Sequence, residues 1–344
     1  MKITIEQKEP CLIDLHIELP QEHFEKEWEH VVNEYQKVAE IPGFRKGKAP
    51  RSSIEKKHAL DIRYDVIEQL TENAIKRALE EEKIDSLGEP IIKEKQLRED
   101  HSFYLVVTVI KRPEFEFEAS DYLNLEVEIE KRNYDAEKMF QKFLEKMQLE
   151  LAIEKELPPM DDNLAHQIIP GHTLEEVKQV VNDSIKKNFE KSFELEAKEA
   201  IKEKILKNIP FAVPFSLMEK IKGDIILDFI EECEEDEFSP EKIESVLKDF
   251  EPVAQESAVK ELQWMFIAQA IAEKESFEVT NDEIFEAIKE DAGEMNLSVE
   301  ELLQEIEDDE DLPSFYGKAM EDKVLEFIYS HTKVIEVPAA LKDL

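Results

Sequence analysis

The first third of the chain combines two hydrophobic periods, one typical of strands and one typical of helices. Apolar and polar residues alternate, as in half-buried strands, over residues 2–7 and 11–19, and two further strands are predicted near 90–95 and at 103–111. Residues 24–38 and 62–79 instead carry an apolar side chain at every third or fourth position, as amphipathic helices do. The order strand, strand, helix, loop, helix, strand, strand predicts an α+β domain over residues 1–112. We expect a small antiparallel sheet with a helix–loop–helix.

Beyond Pro113 the helical period dominates. A short alternating segment at 123–129 leads into a helix around residues 140–147, so residues 113–160 are predicted to be a linker strand and helix that pack with the C-terminal domain. Residues 161–344 read almost entirely as helix. The fold class predicted is an α+β N-terminal domain followed by a mainly α-helical C-terminal domain.

Helix starts and breaks are marked in the C-terminal half. Three pairs fit the capping box, in which a hydroxyl and a glutamate satisfy the first free backbone N–H groups: Thr173 with Glu176, Thr280 with Glu283, and Ser298 with Glu301. Four prolines are expected between helices, where proline can begin a helix but not continue one: Pro210, Pro214, Pro240 and Pro252.

Composition supports a largely helical molecule and restricts its partners. Charged residues make up 37% of the chain and only 7 glycines occur, which favours long solvated helices over a turn-rich all-β fold. The net charge of −39 repels nucleic acid over most of the surface. Any contact with RNA therefore requires a local basic exception.

Several classes of protein are disfavoured. The two cysteines, Cys11 and Cys233, are too far apart to suggest a disulfide framework, and the eight histidines show no metal-binding spacing. Uninterrupted apolar runs such as 264–268 are far shorter than the roughly 18 residues that a membrane span needs. The charged, alternating N-terminus is unlike a signal peptide. We expect a soluble cytoplasmic protein with no metal and no cofactor.

The basic exception lies between the two predicted N-terminal helices. Residues 41–60 contain six basic residues and one acid, and glycines and prolines shape their first half into a turn. Phe44 at the tip has no place in a helical or strand pattern, so it is a candidate docking anchor. An aromatic residue flanked by Arg and Lys suits a partner made of protein and phosphate. The alternative is a surface loop whose cations balance nearby acids, with Phe44 packed under its own helices.

The loop sequence carries a family resemblance. Residues 43–50 read Gly-Phe-Arg-Lys-Gly-Lys-Ala-Pro and match the Gly-Phe-Arg-x-Gly-x-x-Pro signature of trigger factor, so the chain resembles that family. The resemblance implies that the loop contacts the large ribosomal subunit, both protein and rRNA, beside the exit tunnel. The implied contact residues are Gly43, Phe44, Arg45, Lys46, Gly47, Lys48 and Pro50. Weaker landmarks are Glu156-Leu157-Pro158, the helix from Thr173, and residues 208–214.

One part of the family pattern is missing. Members usually insert a prolyl-isomerase domain of the FK506-binding type after the linker helix, but here no glycine occurs between Gly88 and Gly171. The sequence therefore predicts a protein that is not an enzyme. The resemblance implies an ATP-independent chaperone whose helical arms form a cradle for nascent and unfolded polypeptides. The residues expected to line it, as partly exposed apolar groups, are Phe211, Phe215, Met218, Ile225, Phe229, Trp264, Met265, Phe266 and Ile267.

Other interpretations stay open at this point. A peptidyl-prolyl isomerase is suggested by family association, and an RNA-binding protein is suggested by the basic loop. A periplasmic chaperone with similar arms is disfavoured by the N-terminus. The sequence also leaves open a weak homodimer away from the ribosome.

Overall fold

A computed structural model of the chain describes residues 1–131, 135–150, 159–295, 297–305 and 312–338. The chain divides into two units. Unit 1 comprises Met1–Phe115 and Phe211–Gln263, and unit 2 comprises Glu116–Pro210 and Trp264–Leu344. The sequence-based boundaries after residues 112 and 160 stay predictions. The expected landmark Glu156-Leu157-Pro158 lies outside the described residues.

The N-terminal part of unit 1 contains a four-stranded antiparallel sheet. Its strands are β1 (Lys2–Glu9), β2 (Leu12–Leu19), β3 (Ile91–Leu97) and β4 (Phe103–Ile110), in the order β1-β2-β4-β3. All four predicted strands are confirmed, and so is the antiparallel sheet. The alternating pattern of β2 buries Ile13, Leu15 and Ile17 on one face, because successive side chains of a strand point to opposite faces.

Three helices cover the apolar face of this sheet: α1 (Gln21–Val38), α2 (Arg51–Lys57) and α3 (Ala59–Glu82). α3 contributes Ile62, Val66 and Leu70 to the core, one helical turn apart. The predicted helix–loop–helix is confirmed. The short helix α2, which the hydrophobic period does not reveal, leads into α3 through His58.

The other face of the sheet is polar. Asp14 on β2 is buried there, and its carboxylate accepts hydrogen bonds from Thr108 Oγ1 at 2.6 Å and from Lys93 Nζ at 3.1 Å. Burial by itself would raise the pKa of Asp14, but these two hydrogen bonds and the nearby lysine charges outweigh burial and hold that pKa below its ordinary value. The network fixes the strand register on the side that the three helices do not cover.

Beyond β4 the chain is mainly helical. The helices are α4 (Ala136–Glu150), α5 (Asp162–Ile168), α6 (Leu174–Asn208), α7 (Phe215–Glu235), α8 (Pro240–Glu275), α9 (Asn281–Glu294), α10 (Val299–Glu305) and α11 (Leu312–Ser330). Within the described parts of the chain, none of the helices is long and apolar enough to cross a membrane.

α7 and the part of α8 up to Gln263 belong to unit 1. The rings of Phe115 and Phe211 stack with centroids 4.3 Å apart, and those of Phe229 and Phe250 stack at 4.0 Å. The expectation that Pro252 separates two helices is wrong, since it lies inside α8. Because Pro252 has no backbone N–H, one internal hydrogen bond of α8 is missing there, but the helix continues.

Unit 2 combines helices with two paired strands. β5 (Glu126–Glu130) pairs in parallel with β6 (Lys333–Val337). β5 overlaps the predicted alternating segment at 123–129, whereas β6 is an addition to a region expected to be helical. The three predicted capping boxes are confirmed, for example at Thr173, whose Oγ1 accepts from the Glu176 N–H while the Glu176 carboxylate accepts from the Thr173 N–H.

Candidate functional site

The basic segment between α1 and α2 folds as two consecutive tight turns. The Phe44 N–H donates to the Ile41 carbonyl at 3.1 Å, and the Lys48 N–H donates to the Arg45 carbonyl at 2.9 Å. Gly43 and Gly47 occupy the third position of each turn with φ of 88° and 76°. A type II turn requires a positive φ at that position, which favours glycine. The two glycines of the motif therefore have a backbone role. We call residues 41–50 the double-turn loop.

The loop is anchored to the helices on either side. Gln36 Nε2 on α1 donates to the carbonyl of Ala49 at 2.7 Å, and the Ala49 side chain is buried. Lys57 Nζ on α2 donates to the carbonyl of Glu40 at 2.6 Å. These bonds hold both ends of the loop, so its tip is presented in a fixed orientation.

The tip of the loop faces solvent. The Phe44 side chain is 47% exposed, whereas most other large apolar residues of the N-terminal domain lie in its core. Gly43, Arg45, Lys46, Lys48 and Pro50 are exposed too, and Gly47 is half-buried. The interpretation in which Phe44 packs under its own helices is therefore wrong.

The cations of the tip are available to a partner. Within the described ranges, Arg45, Lys46 and Lys48 form no ion pair. The loop thus presents an aromatic ring beside three uncompensated positive charges. Such a surface can bind an apolar patch and an anionic group at the same time.

Arg51 behaves differently from the other basic residues. Its guanidinium contacts Glu55 at 2.8 Å and Glu29 at 3.3 Å. The hydrogen bond from Arg51, reinforced by one from Trp28 Nε1, holds the pKa of Glu55 below its ordinary value. Of the six basic residues counted in the sequence, Arg51 therefore supports the base of the loop and does not add to its free charge.

A second polar cluster stiffens the same end of the domain. The Tyr35 hydroxyl donates to Asp65 Oδ2 at 2.7 Å, and this bond to the carboxylate raises the pKa of Tyr35 to about 12. The ring of His58 lies 5.5 Å from that of Tyr35, and its Nδ1 is 3.1 Å from Asp61 Oδ2. Sequence reasoning missed this cluster, because the hydrophobic period does not record partners on different helices.

The candidate cradle residues of unit 1 differ in exposure. Phe215, at the start of α7, is 57% exposed. Phe211, Ile225 and Phe229 are half-buried. Met218 is buried, so its expected partial exposure is wrong.

The candidate cradle residues of unit 2 lie mostly inside. Trp264 is 4% exposed, Phe266 and Ile267 are buried too, and only Met265 is half-buried. The expected exposure of Trp264, Phe266 and Ile267 is therefore wrong. α8 is covered on several sides at this point, and apolar residues at consecutive positions fill that covered surface.

Neither unit shows a metal-ligand cluster: within the residues that the structure describes, no group of three or more His, Cys, Asp or Glu side chains could hold a metal ion. The two cysteines are buried and free.

Two family models match the chain. The one described as "Bacterial trigger factor protein (TF)" matches residues 1–147, and the one described as "Bacterial trigger factor protein (TF) C-terminus" matches residues 173–330. Together they cover most of the chain, including the double-turn loop.

Proteins similar to this chain in sequence are described as trigger factors. The trigger factor of Desulforapulum autotrophicum is 34% identical over 136 residues, which is 40% of this chain and 29% of that protein. The trigger factor of Geobacter sulfurreducens is 32% identical over 166 residues, which is 48% of this chain and 35% of that protein. The chain thus spans about a third of the length of these curated relatives.

A solved structure described as "Promiscuous Substrate Recognition in Folding and Assembly Activities of the Trigger Factor Chaperone" is similar over nearly the whole chain. The match has a TM-score of 0.53 at 15% identity and covers 96% of this chain and 99% of that one. At this identity the likeness concerns the fold: a small antiparallel sheet with helices, followed by a mostly helical region.

Proposed function

Because this chain belongs to the trigger factor family, we propose that it is a chaperone that docks on the large ribosomal subunit beside the exit tunnel. The observation that carries the proposal is the double-turn loop, with Phe44 exposed and the charges of Arg45, Lys46 and Lys48 uncompensated. We assign the contact to Gly43, Phe44, Arg45, Lys46, Gly47, Lys48 and Pro50. A protein that docks on ribosomes in this way is expected in the cytoplasm.

Electrostatics support a contact limited to this loop. The chain carries a net charge of −39, so most of its surface is repelled by rRNA. The loop is a local exception that can reach phosphate groups while Phe44 enters an apolar site on a ribosomal protein. The need for both features favours an intact ribosome over naked RNA as the partner.

Clients would be held by partly exposed apolar residues on the helices and just before α7. The candidates that remain at the surface are Phe211, Phe215, Ile225, Phe229 and Met265. Tethering at the exit tunnel raises the local concentration of these residues near an emerging chain, so weak contacts suffice. A dissociation constant near 1 μM, about −8 kcal/mol, would hold a nascent or unfolded segment and still release it to fold. No step of this cycle uses ATP or a cofactor.

We also propose that the protein is not a prolyl isomerase. The described linker helix α4 and the helix α5 are separated by few residues, and both pack with α6 in one small cluster that includes Phe140, Leu164 and Val177. Catalysed isomerisation of a prolyl peptide by the purified chain would contradict this part of the proposal.

Co-sedimentation with ribosomes tests the docking proposal. The variant F44A/R45A/K46A is expected to lose co-sedimentation and to keep the wild-type circular dichroism, since all three side chains are exposed. A matched control, K76A/R77A/I91A, also removes two cations and one exposed apolar side chain from the same domain. The control is expected to bind like the wild type. Retained binding by the loop variant would refute the proposal.

A further inference from the structure

The first strand of the N-terminal sheet has one free edge. In the strand order β1-β2-β4-β3, β1 lies at the end and is hydrogen-bonded to β2. Within the part of the chain that the structure describes, the backbone of residues 2–7 forms no hydrogen bond with any other segment. Successive residues of a strand direct their N–H and C=O groups to opposite sides, so about half of these groups face away from β2. This row of donors and acceptors can pair with another extended chain.

β1 is less protected than β3, the strand at the opposite edge. Pro90 precedes β3, and a bulge at Lys93 interrupts the pairing of β3 with β4. Both features hinder the addition of a further strand. In β1 the bulge comes only after Gln7, so the stretch from Lys2 to Gln7 is regular. A strand added to the sheet would therefore find regular backbone along β1 and irregular backbone along β3.

The side chains of β1 are complementary to themselves. Residues 2–6 read Lys-Ile-Thr-Ile-Glu. If two copies of this strand run antiparallel about Thr4, Lys2 of one copy lies opposite Glu6 of the other, and Ile3 lies opposite Ile5. Opposite charges and β-branched pairs both stabilise neighbouring strands. Each pair joins positions an even number of residues apart, so both members direct their backbone groups to the same side, as an antiparallel ladder requires.

We propose that β1 is an interface for a second copy of this chain, with the two β1 strands antiparallel and centred on Thr4. The two four-stranded sheets then join edge to edge across a two-fold axis. The same patch serves on both copies, and its Lys2–Glu6 pair occurs twice. The inference does not rest on the proposed function, because residues 2–6 are not part of the double-turn loop.

The apolar side of the interface continues the two cores. Ile3 and Ile5 pair with the buried residues Ile17 and Leu15, so they lie on the helix-covered face of the sheet. Ile3 packs against the core, whereas Ile5 is 44% exposed at the edge. In the dimer, Ile3 of one copy covers Ile5 of the other. The apolar surface that the monomer leaves open is thus buried.

The charged side of the interface has room for the second copy. The Lys2 side chain is 76% exposed, and its ammonium lies 4.0 Å from the Glu18 carboxylate. The Glu6 carboxylate contacts Lys8 at 2.5 Å and His16 at 3.2 Å, yet its side chain is 52% exposed. A carboxylate can accept about four hydrogen bonds. The ammonium of Lys2 from the second copy can therefore add to the two contacts that Glu6 already has.

Side-chain complementarity favours a second copy over an extended client segment. An arbitrary client strand could use the same backbone groups, but it would not set a lysine against Glu6 and a glutamate against Lys2. The contact involves five residues a side, far fewer than the roughly 20–30 of a stable interface. The dimer is therefore weak and forms only at high protein concentration.

Charge reversal tests the pairing. In a homodimer of Lys2→Glu or of Glu6→Lys, like charges oppose each other twice, so each variant is expected to self-associate about 2- to 30-fold more weakly than the wild type. In a mixture of the two variants, positions 2 and 6 again carry opposite charges, and mixed dimers are expected to form more tightly than either homodimer. Sedimentation and energy transfer between labelled chains measure both. A wild type that stays monomeric at millimolar concentration, or a mixture without preference for mixed dimers, overturns the inference.

A cysteine at the symmetry centre tests the register. Directly opposite residues of antiparallel strands have Cα atoms about 4.5–5.5 Å apart, within the range that a disulfide spans. Thr4→Cys is therefore expected to give a covalent dimer under mild oxidation, and the two natural cysteines are buried. The control Ile91→Cys places an exposed cysteine on β3 and is expected to stay monomeric. Failure of Thr4→Cys to crosslink, or equal crosslinking by Ile91→Cys, overturns the inference. Neither experiment involves the ribosome, so its outcome is independent of the docking proposal.

Discussion

The two glycines of the double-turn loop offer a direct test of whether its backbone geometry matters for binding. Gly43 and Gly47 have φ of 88° and 76°, a region that residues with a Cβ avoid. The informative variant is G43A/G47A, which leaves the aromatic ring and every charge of the loop in place. Any effect on binding would then come from the backbone alone.

The structure sets the size of the effect. A Cβ at Gly43 would meet no atom within 4 Å, and one at Gly47 would meet only the Lys37 carbonyl, at 3.9 Å. The cost is therefore conformational and not steric. A left-handed backbone costs a residue with a Cβ about 1–2 kcal/mol, so the two substitutions together disfavour the double turn by about 2–4 kcal/mol.

This conformational cost lowers either the affinity for the ribosome or the stability of the domain. If the loop leaves its double-turn conformation, the fraction competent to bind falls, and ribosome affinity drops by up to about 30- to 900-fold. If the anchors at Ala49 and Glu40 hold the loop in place, the free energy of unfolding of the domain falls by about 2–4 kcal/mol instead. Measuring both the dissociation constant and urea unfolding captures the sum of the two effects.

Gly223 in α7 supplies the control. A Cβ there meets no atom within 4 Å and the residue is helical, so Gly223→Ala is expected to stabilise the chain by up to about 1 kcal/mol without changing ribosome binding. If G43A/G47A matched the wild type in both affinity and stability, the argument that these glycines hold the turns would be refuted.

Three further substitutions test the rest of the structure. Asp14→Ala should destabilise the sheet by about 1–3 kcal/mol in urea unfolding at pH 7, because it leaves the buried Thr108 hydroxyl without its acceptor, and an unchanged midpoint would contradict the network. Glu283 has a pKa of about 2, held down by a lysine of α11 and then by its N-cap threonine. The stability that its charge contributes is thus present above its ordinary value of 4.5 and lost as pH falls toward 2. The advantage of the wild type over Glu283→Gln in urea should therefore shrink between about pH 5 and pH 3, and a constant difference would be inconsistent with this. In the variant Trp28→Phe, tryptophan fluorescence comes from Trp264 alone and should be blue-shifted and weakly quenched by acrylamide. Strong quenching would show that Trp264 is exposed, as the cradle prediction requires.

Local patterns predicted most of the fold because the elements that they describe are themselves local. The alternation of β2, the helical period of α3 and the capping box at Thr173 each involve residues within a few positions of one another. β6 escaped prediction for the opposite reason: it is five residues long and pairs with β5, which lies 207 residues earlier in the chain. No short window contains that partner.

The candidate site shows the same division. The composition and glycine spacing of the loop predicted a shaped, cationic segment with Phe44 at its tip. They could not predict that Arg51 contacts Glu29 in addition to Glu55, because Glu29 comes from another helix. In α8, apolar residues at helical spacing did not distinguish a surface stripe from a core, and Trp264 proved to be buried.

The stacked rings of Phe115 and Phe211 mark the points where the chain leaves unit 1 and returns to it. Because the rings of these two residues are in van der Waals contact, the two chain ends lie side by side, as the two ends of a short hairpin turn do. Such a junction tolerates inserted segments of very different length, because the two ends keep the same positions in unit 1 whatever sequence connects them. The pair of phenylalanines is therefore a natural splice point at which whole modules could be exchanged during evolution or by design.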